Sequence, residues 1–77
     1  MSNSNDLGLL VRQSRDLLGL SQEKFAGRLG VAFASVNRWE NGKTKPSPLA
    51  LKQIEDLLKG LGPKGRDLLE QYFPEEA

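Results

Sequence analysis

Along most of the chain, hydrophobic residues recur three and four positions apart, which is the spacing of a helix that buries one face. Short stretches rich in glycine, proline and serine interrupt this pattern and separate one segment from the next. We therefore predict an all-α fold of five helices with no sheet. The predicted helices cover residues 6–18, 21–30, 32–41, 47–59 and 66–73.

The second and third predicted helices have the clearest ends. Ser21 is a good N-cap, and Glu23 lies in the first turn, where the helix dipole favours negative charge. Gly30 and Gly42 stand where a helix ends in the left-handed conformation that glycine adopts without strain. Helices of about ten residues are marginal in isolation, so we expect these two to pack together inside a small helical domain.

Apolar spacing, cap residues and turn residues also predict the structure of the remaining segments. Ser14 interrupts the apolar face of the first helix, which predicts looser packing there. Residues 43–48 form a basic loop, and Ser47 caps the fourth helix with Pro48 at its first position. Residues 60–65 are predicted to be a turn. The expected core residues are Leu7, Leu10, Val11, Leu17, Leu18, Phe25, Ala26, Leu29, Val36, Trp39, Leu51, Ile54, Leu57 and Leu58.

The length of 77 residues predicts one domain, near the lower limit at which a single core is stable without disulfides or metals. We expect this domain to span residues 6–73, with a disordered polar lead at 1–5 and an acidic tail at 74–77. No apolar run approaches the ~20 residues of a membrane span. The first residues lack the charged-then-apolar pattern of a signal peptide, so we expect none. A cytoplasmic protein without membrane contact is expected.

The composition argues against catalysis and metal binding. The chain contains no cysteine and no histidine, so it offers no thiolate ligand and lacks the commonest general base and metal ligand. A catalytic site would have to rest on carboxylates, lysine, tyrosine or serine alone. We therefore expect no enzymatic activity, no metal and no cofactor.

The net charge of +1 conceals an uneven distribution. Residues 1–52 hold eight lysines and arginines against four acidic residues, whereas residues 53–77 hold three against six. A basic first part with an acidic end fits a polyanion that meets one side of the molecule. From composition alone, ordinary surface charge explains the asymmetry equally well.

A longer motif runs through the centre of the chain. It contains Leu-Ser-Gln-Glu from Leu20, Trp-Glu-Asn-Gly-Lys from Trp39, and the pair Pro46-Ser47. In this register the chain resembles the helix-turn-helix domains of the phage repressor/Cro-like (XRE) family over roughly residues 7–60. The resemblance implies a motif at 21–41, a recognition helix at 32–41 and double-stranded DNA as the partner.

The third predicted helix turns Val36 and Trp39 inward, which leaves its other side chains facing outward. The major groove of DNA admits one helix, whose exposed side chains read the base edges. The outward set is Phe33, Ala34, Asn37 and Arg38.

Each of these side chains suits a particular contact with a base. Arg38 can hold guanine O6 and N7 bidentately, and Asn37 can reach adenine or a phosphate. Phe33 and Ala34 can pack on thymine methyl groups. The resemblance aligns Phe33, Ala34 and Arg38 with base-contacting positions, and Ser35 is a fourth candidate. The alternative for each is a solvated surface position, and for Phe33 a place in the core or an interface.

Phosphate contacts are expected on both sides of the recognition helix. Gln22 lies at a helix N-terminus, where free amides and the helix dipole favour an anion. The other expected contacts are Asn41, Lys43, Lys45 and Ser47, the last at the start of the fourth helix. Such contacts set register and affinity and carry no sequence information.

The resemblance also implies an ion pair between Arg15 and Glu40. A partly buried arginine–carboxylate pair would hold the first helix against the recognition helix. We assign both residues a structural role and no catalytic one.

These observations favour a sequence-specific DNA-binding transcription regulator. One recognition helix reads a short half-site, so we expect a homodimer on a palindromic operator. Spare apolar residues near the end of the chain either form the dimer interface or simply cap the core. These residues are Leu61, Leu68, Leu69, Tyr72 and Phe73.

The main alternative is an antitoxin-like or coactivator-like helical module that binds a protein partner and has weak or no affinity for DNA. The acidic last part of the chain, with Leu68, Tyr72 and Phe73, would then be the working surface. An unidentified effector or protein partner is compatible with both readings.

Overall fold

The computed structural model of the chain describes residues 7–74. Within that range it contains five helices and no strand, which confirms the predicted all-α class. The predicted lead at residues 1–5 and positions 75–77 of the predicted tail lie outside the described residues. The helices are α1 (Leu7–Leu18), α2 (Gln22–Leu29), α3 (Phe33–Glu40), α4 (Pro48–Lys59) and α5 (Pro63–Tyr72). None of these helices has the length and apolarity needed to cross a membrane.

Local signals place the ends of α2 and the start of α4 where the sequence predicted them. The Ser21 hydroxyl accepts a hydrogen bond of 3.1 Å from the backbone N–H of Lys24. The Ser47 hydroxyl accepts one of 3.1 Å from the backbone N–H of Ala50. Gly30 ends α2 with a φ of 72°, in the left-handed region that glycine tolerates.

Helix α5 begins at Pro63, so the predicted turn at residues 60–65 is wrong in its second half. Proline fits the first turn of a helix, because its missing N–H needs no partner there. Gly65 is explained by packing, since a Cβ at this position would overlap the backbone carbonyl of Leu58. The glycine that predicted a turn therefore lets α5 pack closely against α4.

All five helices contribute to one core. Helix α1 packs on α3, α4 and α5, and α4 also packs on α5. Helix α2 packs on α3 and α4. Phe25, Leu10 and Ile54 are among the largest side chains fully removed from water. The buried apolar residues are Leu10, Val11, Phe25, Ala26, Leu29, Val36, Trp39, Ala50, Ile54, Leu58, Leu68 and Leu69.

The apolar residues near the end of the chain cap this core. Leu68 and Leu69 are buried, and Leu61, Tyr72 and Phe73 are half-buried and packed against the core. The structure therefore favours the core role of these five residues over the role of a spare interface.

The buried face of α1 includes Ser14, as the helical spacing predicted, and differs from the predicted face at Leu17. Ser14 is 1% exposed and lies within the core, between Leu10 and Leu18 along the helix. Leu17, which was predicted to be buried, is 38% exposed. The face is centred on Leu10, Val11 and Ser14, so Leu17 falls on its flank.

Candidate nucleic-acid interface

The turn between α2 and α3 sets the direction of α3. The N–H of Gly30 bonds the carbonyls of Ala26 and Gly27, and the N–H of Val31 donates to the Ala26 carbonyl at 3.0 Å. Ala32 then occupies the extended N-cap position of α3 without a side-chain hydrogen bond. The turn is thus tied to the end of α2, and the N–H of Ser35 in α3 bonds back to the Ala32 carbonyl at 3.0 Å.

Packing then decides which face of α3 is free. Val36 and Trp39 are buried against the core, as their spacing predicted. Phe33 is 52% exposed, and Ala34 and Arg38 are also exposed. The remaining predicted base-contact residues, Ser35 and Asn37, are half-buried on the sides of the same helix.

Arg15 on α1 and Glu40 at the end of α3 form a bidentate ion pair. Arg15 Nε lies 2.7 Å from Glu40 Oε2, and Arg15 Nη2 lies 3.0 Å from Oε1. A third donor, Nη1, reaches the Leu20 carbonyl at 3.1 Å. The side chains are 17% and 7% exposed, so the pair joins α1, α3 and the turn before α2 largely out of water.

The pair shifts the pKa of both groups. Burial alone would raise the pKa of the Glu40 carboxyl, but hydrogen bonds from Arg15 and Gln22 and the charges of Arg15 and Arg12 outweigh it. The pKa of Glu40 therefore lies below its ordinary value. The hydrogen bond to Glu40 raises the pKa of the Arg15 guanidinium. Both side chains are charged at neutral pH.

Three side-chain amides continue from Glu40 along the outer surface, and we call them the amide chain: Gln22, Asn37 and Asn41. Gln22 Nε2 donates to Glu40 Oε1 at 3.0 Å. Asn37 Nδ2 donates to Gln22 Oε1 at 3.1 Å, and Asn41 Nδ2 donates to Asn37 Oδ1 at 3.1 Å. The sequence predicted separate DNA contacts for these residues and missed that they bond one another.

The only signal in the sequence for this arrangement is the spacing of Asn37 and Asn41, which places them one turn apart on one helix face. The bonds to Gln22 and Glu40 join residues of different helices and depend on how α2 and α3 pack. A one-dimensional pattern does not contain that information.

The basic loop leaves α3 through Gly42, which has a φ of 74°. The N–H of Lys43 returns to the Arg38 carbonyl at 2.9 Å, so the loop begins tightly against the end of α3. Lys43 and Lys45 are exposed, while Pro46 between the loop and α4 is buried. The Ser47 hydroxyl oxygen accepts the cap bond from Ala50, so this residue can offer its backbone N–H and its hydroxyl O–H as donors.

Other candidate sites are few in the described part of the chain. No group of three or more acidic, histidine or cysteine side chains in residues 7–74 is arranged to hold a metal. A shallow groove of about 360 Å³ lies between α1 and α5. Its lining residues are Gln13, Asp16, Leu17, Lys64, Asp67 and Leu68.

Comparison with known proteins agrees with this geometry. A profile of the helix-turn-helix family matches residues 11–62. An uncharacterised HTH-type transcriptional regulator of Methanothermobacter thermautotrophicus is 34% identical over 64 residues, which are 83% of this chain and 84% of that protein. One from Sinorhizobium medicae is 33% identical over 52 residues, which are 68% of this chain and 37% of that protein.

A further match is the type II methyltransferase M.SsoII of Shigella sonnei, 30% identical over 56 residues, which are 69% of this chain and 15% of the enzyme. The chain thus spans well under half the length of two of these three relatives. No solved structure gave a significant match. The family profile covers most of the chain and the resemblance seen in the motif is confirmed: the chain belongs to the Cro/C1-type (XRE) helix-turn-helix family of DNA-binding domains.

Proposed function

We propose that this chain is a sequence-specific DNA-binding transcription regulator whose α3 enters the major groove. The observation that carries the proposal is the outer face of α3, where an exposed phenylalanine stands beside Ala34 and Arg38. An apolar side chain next to a guanidinium suits a groove that displays thymine methyl groups and guanine acceptors. The opposite face of α3 is packed into the core, so the helix would meet DNA as a rigid unit.

The exposed residues of α3 receive distinct roles in this proposal. Arg38 holds guanine O6 and N7 bidentately, because its fork matches that pair of acceptors. Phe33 and Ala34 contact thymine methyl groups one turn earlier. Ser35, half-buried on the side of α3, stands at the edge of the contact.

The DNA backbone is held on both sides of α3. Lys43 and Lys45 are exposed on the loop that follows α3 and supply positive charge to phosphates. Gln22, Asn41 and the backbone N–H of Ser47 add neutral donors. These contacts position α3 and determine affinity on any sequence.

We further propose that two copies bind a palindromic operator. Helix α3 is eight residues long and reads only a half-site, so a two-fold dimer doubles the sequence that is recognised. Because Leu68 and Leu69 are buried in the core, the dimer does not use them as its interface. The cytoplasmic location stays a prediction that follows from the DNA partner.

The adaptor alternative has less support. It needs a free apolar surface made by Leu68, Tyr72 and Phe73, and these side chains are buried or half-buried against the core. We propose no catalytic activity either, since the match to the methyltransferase covers 15% of that enzyme.

The proposal is tested by selecting duplexes from a random pool with the purified chain and measuring affinity for the enriched site by mobility shift. We expect a two-fold symmetric site in which each half contains a guanine beside thymines. Arg38→Ala should cost about 1–3 kcal/mol on that site and relax the preference at one guanine. Phe33→Ala should relax a thymine, and uracil at that position should reproduce the loss.

Arg66→Ala is the matched control, because Arg66 is an exposed arginine on α5. It should leave affinity and preference unchanged. Failure to enrich any sequence would contradict the proposal, and so would an Arg38→Ala variant that loses specific and non-specific binding equally.

A further inference from the structure

We infer that Asn37 is a positioning residue that orients Gln22 and reads no base, within an amide chain whose direction is imposed by Glu40. The inference rests on the proposed DNA-binding function and refines it. Phe33, Ala34 and Arg38 remain the residues that face the bases, and the half-buried amide between them serves the backbone contact.

The direction of the amide chain follows from the chemistry of its first members. A guanidinium only donates hydrogen bonds, and an ionised carboxylate only accepts them. With Arg15 and Glu40 paired, any amide that joins Glu40 must turn its NH₂ group toward the carboxylate. Gln22 does so at 3.0 Å, which leaves its carbonyl oxygen facing Asn37.

The same constraint passes to the next two residues. Asn37 must present its NH₂ group to the Gln22 carbonyl, which it does at 3.1 Å. Its own carbonyl then accepts from Asn41 Nδ2 at 3.1 Å. The charge on Glu40 therefore assigns each oxygen and nitrogen in the amide chain. If any one amide had the opposite orientation, two donors or two acceptors would face each other.

This arrangement disfavours direct readout by Asn37. An asparagine that recognises adenine accepts from N6 and donates to N7, so it needs its carbonyl and its NH₂ group together. In Asn37 the carbonyl is engaged by Asn41, and one N–H is engaged by Gln22. A bidentate contact with a base would have to use the remaining N–H and the second lone pair of the carbonyl, in the orientation that these two bonds already fix.

What the amide chain offers to DNA is a row of donors. Gln22, Asn37 and Asn41 each keep one amide N–H beyond the bonds described, while the carbonyls of Gln22 and Asn37 are already accepting bonds. Amide N–H donors suit the anionic oxygens of a phosphate. Asn37 thus improves a backbone contact by holding Gln22 in the donating orientation.

The test compares Asn37→Ala with Arg38→Ala on the selected site and on a panel of its single-base variants. Loss of one neutral hydrogen-bonded link should weaken binding by about three- to tenfold. We expect this factor to be the same for every sequence, so that the base preference of Asn37→Ala matches that of the unchanged chain. If Asn37 reads a base, the preference at one position relaxes while the other positions keep theirs, and the inference is overturned.

A second readout concerns the side-chain NH₂ signals of Gln22 in NMR spectra of the free chain, which report its hydrogen bonds without DNA. Asn37→Ala should shift them, and so should Glu40→Gln, because a neutral amide at position 40 no longer imposes one direction. The matched control is Gln53→Ala on α4, outside the amide chain, which should leave them unchanged. If Asn37→Ala leaves the Gln22 NH₂ signals unshifted, the inference is overturned whatever the binding result.

Failure of the two proposals can be told apart. If the unchanged chain selects no DNA sequence, the proposed function fails. If it selects a site and Asn37→Ala alters the preference at one base, only the role assigned to Asn37 fails.

Discussion

Glu40 joins side chains of three helices. It accepts hydrogen bonds from Arg15 on α1 and Gln22 on α2 while belonging to α3. A buried charge that loses its partner remains desolvated without compensation. We expect Glu40→Ala to lower the free energy of unfolding by roughly 3 kcal/mol, measured by urea denaturation.

The control for this substitution is the exposed pair of Lys52 and Asp56 on α4. Their charged groups are 3.9 Å apart and their side chains are 59% and 58% exposed. Asp56→Ala should change stability by less than about 0.5 kcal/mol. Similar small effects of the two substitutions would contradict the structural role of the Arg15–Glu40 pair.

The low pKa of Glu40 makes a part of the stability depend on pH. Its folded-state pKa lies below its ordinary value, so the unfolded chain binds more protons at this site between the two values. The stabilisation is complete above the ordinary glutamate pKa of about 4.3 and is lost as the pH falls through the lower, folded value.

This dependence is measured from urea midpoints of the unchanged chain and Glu40→Gln at a series of pH values. The difference in stability between them should shrink as the pH falls below about 4.3. Taking the difference cancels the other carboxylates, which titrate in both chains. A difference that stays constant down to the acid limit of folding would show that Glu40 is not stabilised in its charged form.

Ser14 carries a buried hydroxyl whose oxygen has no hydrogen-bond partner among the described residues. Burying a polar group without a partner is unfavourable, and alanine is also the better helix former. We therefore expect Ser14→Ala to raise the free energy of unfolding by about 1 kcal/mol. A loss of stability in thermal and urea unfolding would contradict this account.

At the scale of elements, two helical glycines have opposite reasons for being glycine. Gly27 in α2 is exposed, and a Cβ there would meet no atom within 4 Å. Gly65 in α5 lies against the Leu58 backbone, and a Cβ there has no room. One is neutral to packing, and the other allows α4 and α5 to approach.

We expect the two alanine substitutions to change stability in opposite directions. Gly27→Ala should stabilise by about 0.5–1 kcal/mol, because alanine restricts the unfolded chain and favours the helix. Gly65→Ala should destabilise by about 1–3 kcal/mol through overpacking between α4 and α5. Urea midpoints measure both, and a Gly65→Ala variant at least as stable as the unchanged chain would show that the glycine at 65 is not needed for close packing.

At the scale of the whole molecule, exposed positive charge lies next to the recognition helix. Lys43 and Lys45 are exposed on the loop that leaves α3, and Arg38 is exposed on α3 itself. Such positive charge attracts a polyanion to this part of the surface.

If Lys43 and Lys45 contact phosphates, replacing either with alanine should weaken binding to all sequences alike. Each substitution should lower the magnitude of the slope of log affinity against log salt by about 0.9. Lys64→Ala on α5 is the matched control, because Lys64 is exposed on a different element and should leave the slope unchanged. An unchanged slope in both loop variants would place the loop away from the DNA backbone.

The sequence by itself determined the features that arise within one or two helical turns. Caps at Ser21 and Ser47, the left-handed glycine at Gly30 and the inward spacing of Val36 and Trp39 act between near neighbours. They sufficed for the all-α class, the motif and the exposed face of α3. The family motif added the pairing of position 15 with position 40, which spacing alone does not contain.

Only the tertiary structure decided what depends on how helices cross. Gly65 was predicted to lie in a turn, but it lies in α5 against the backbone of Leu58. Leu17 was predicted to be buried, but it is exposed on the flank of α1. The bonds between Gln22 and Asn37 join α2 to α3 across 15 positions of sequence. Such contacts form because packing brings the helices within hydrogen-bond distance, and no local pattern of residues encodes that distance.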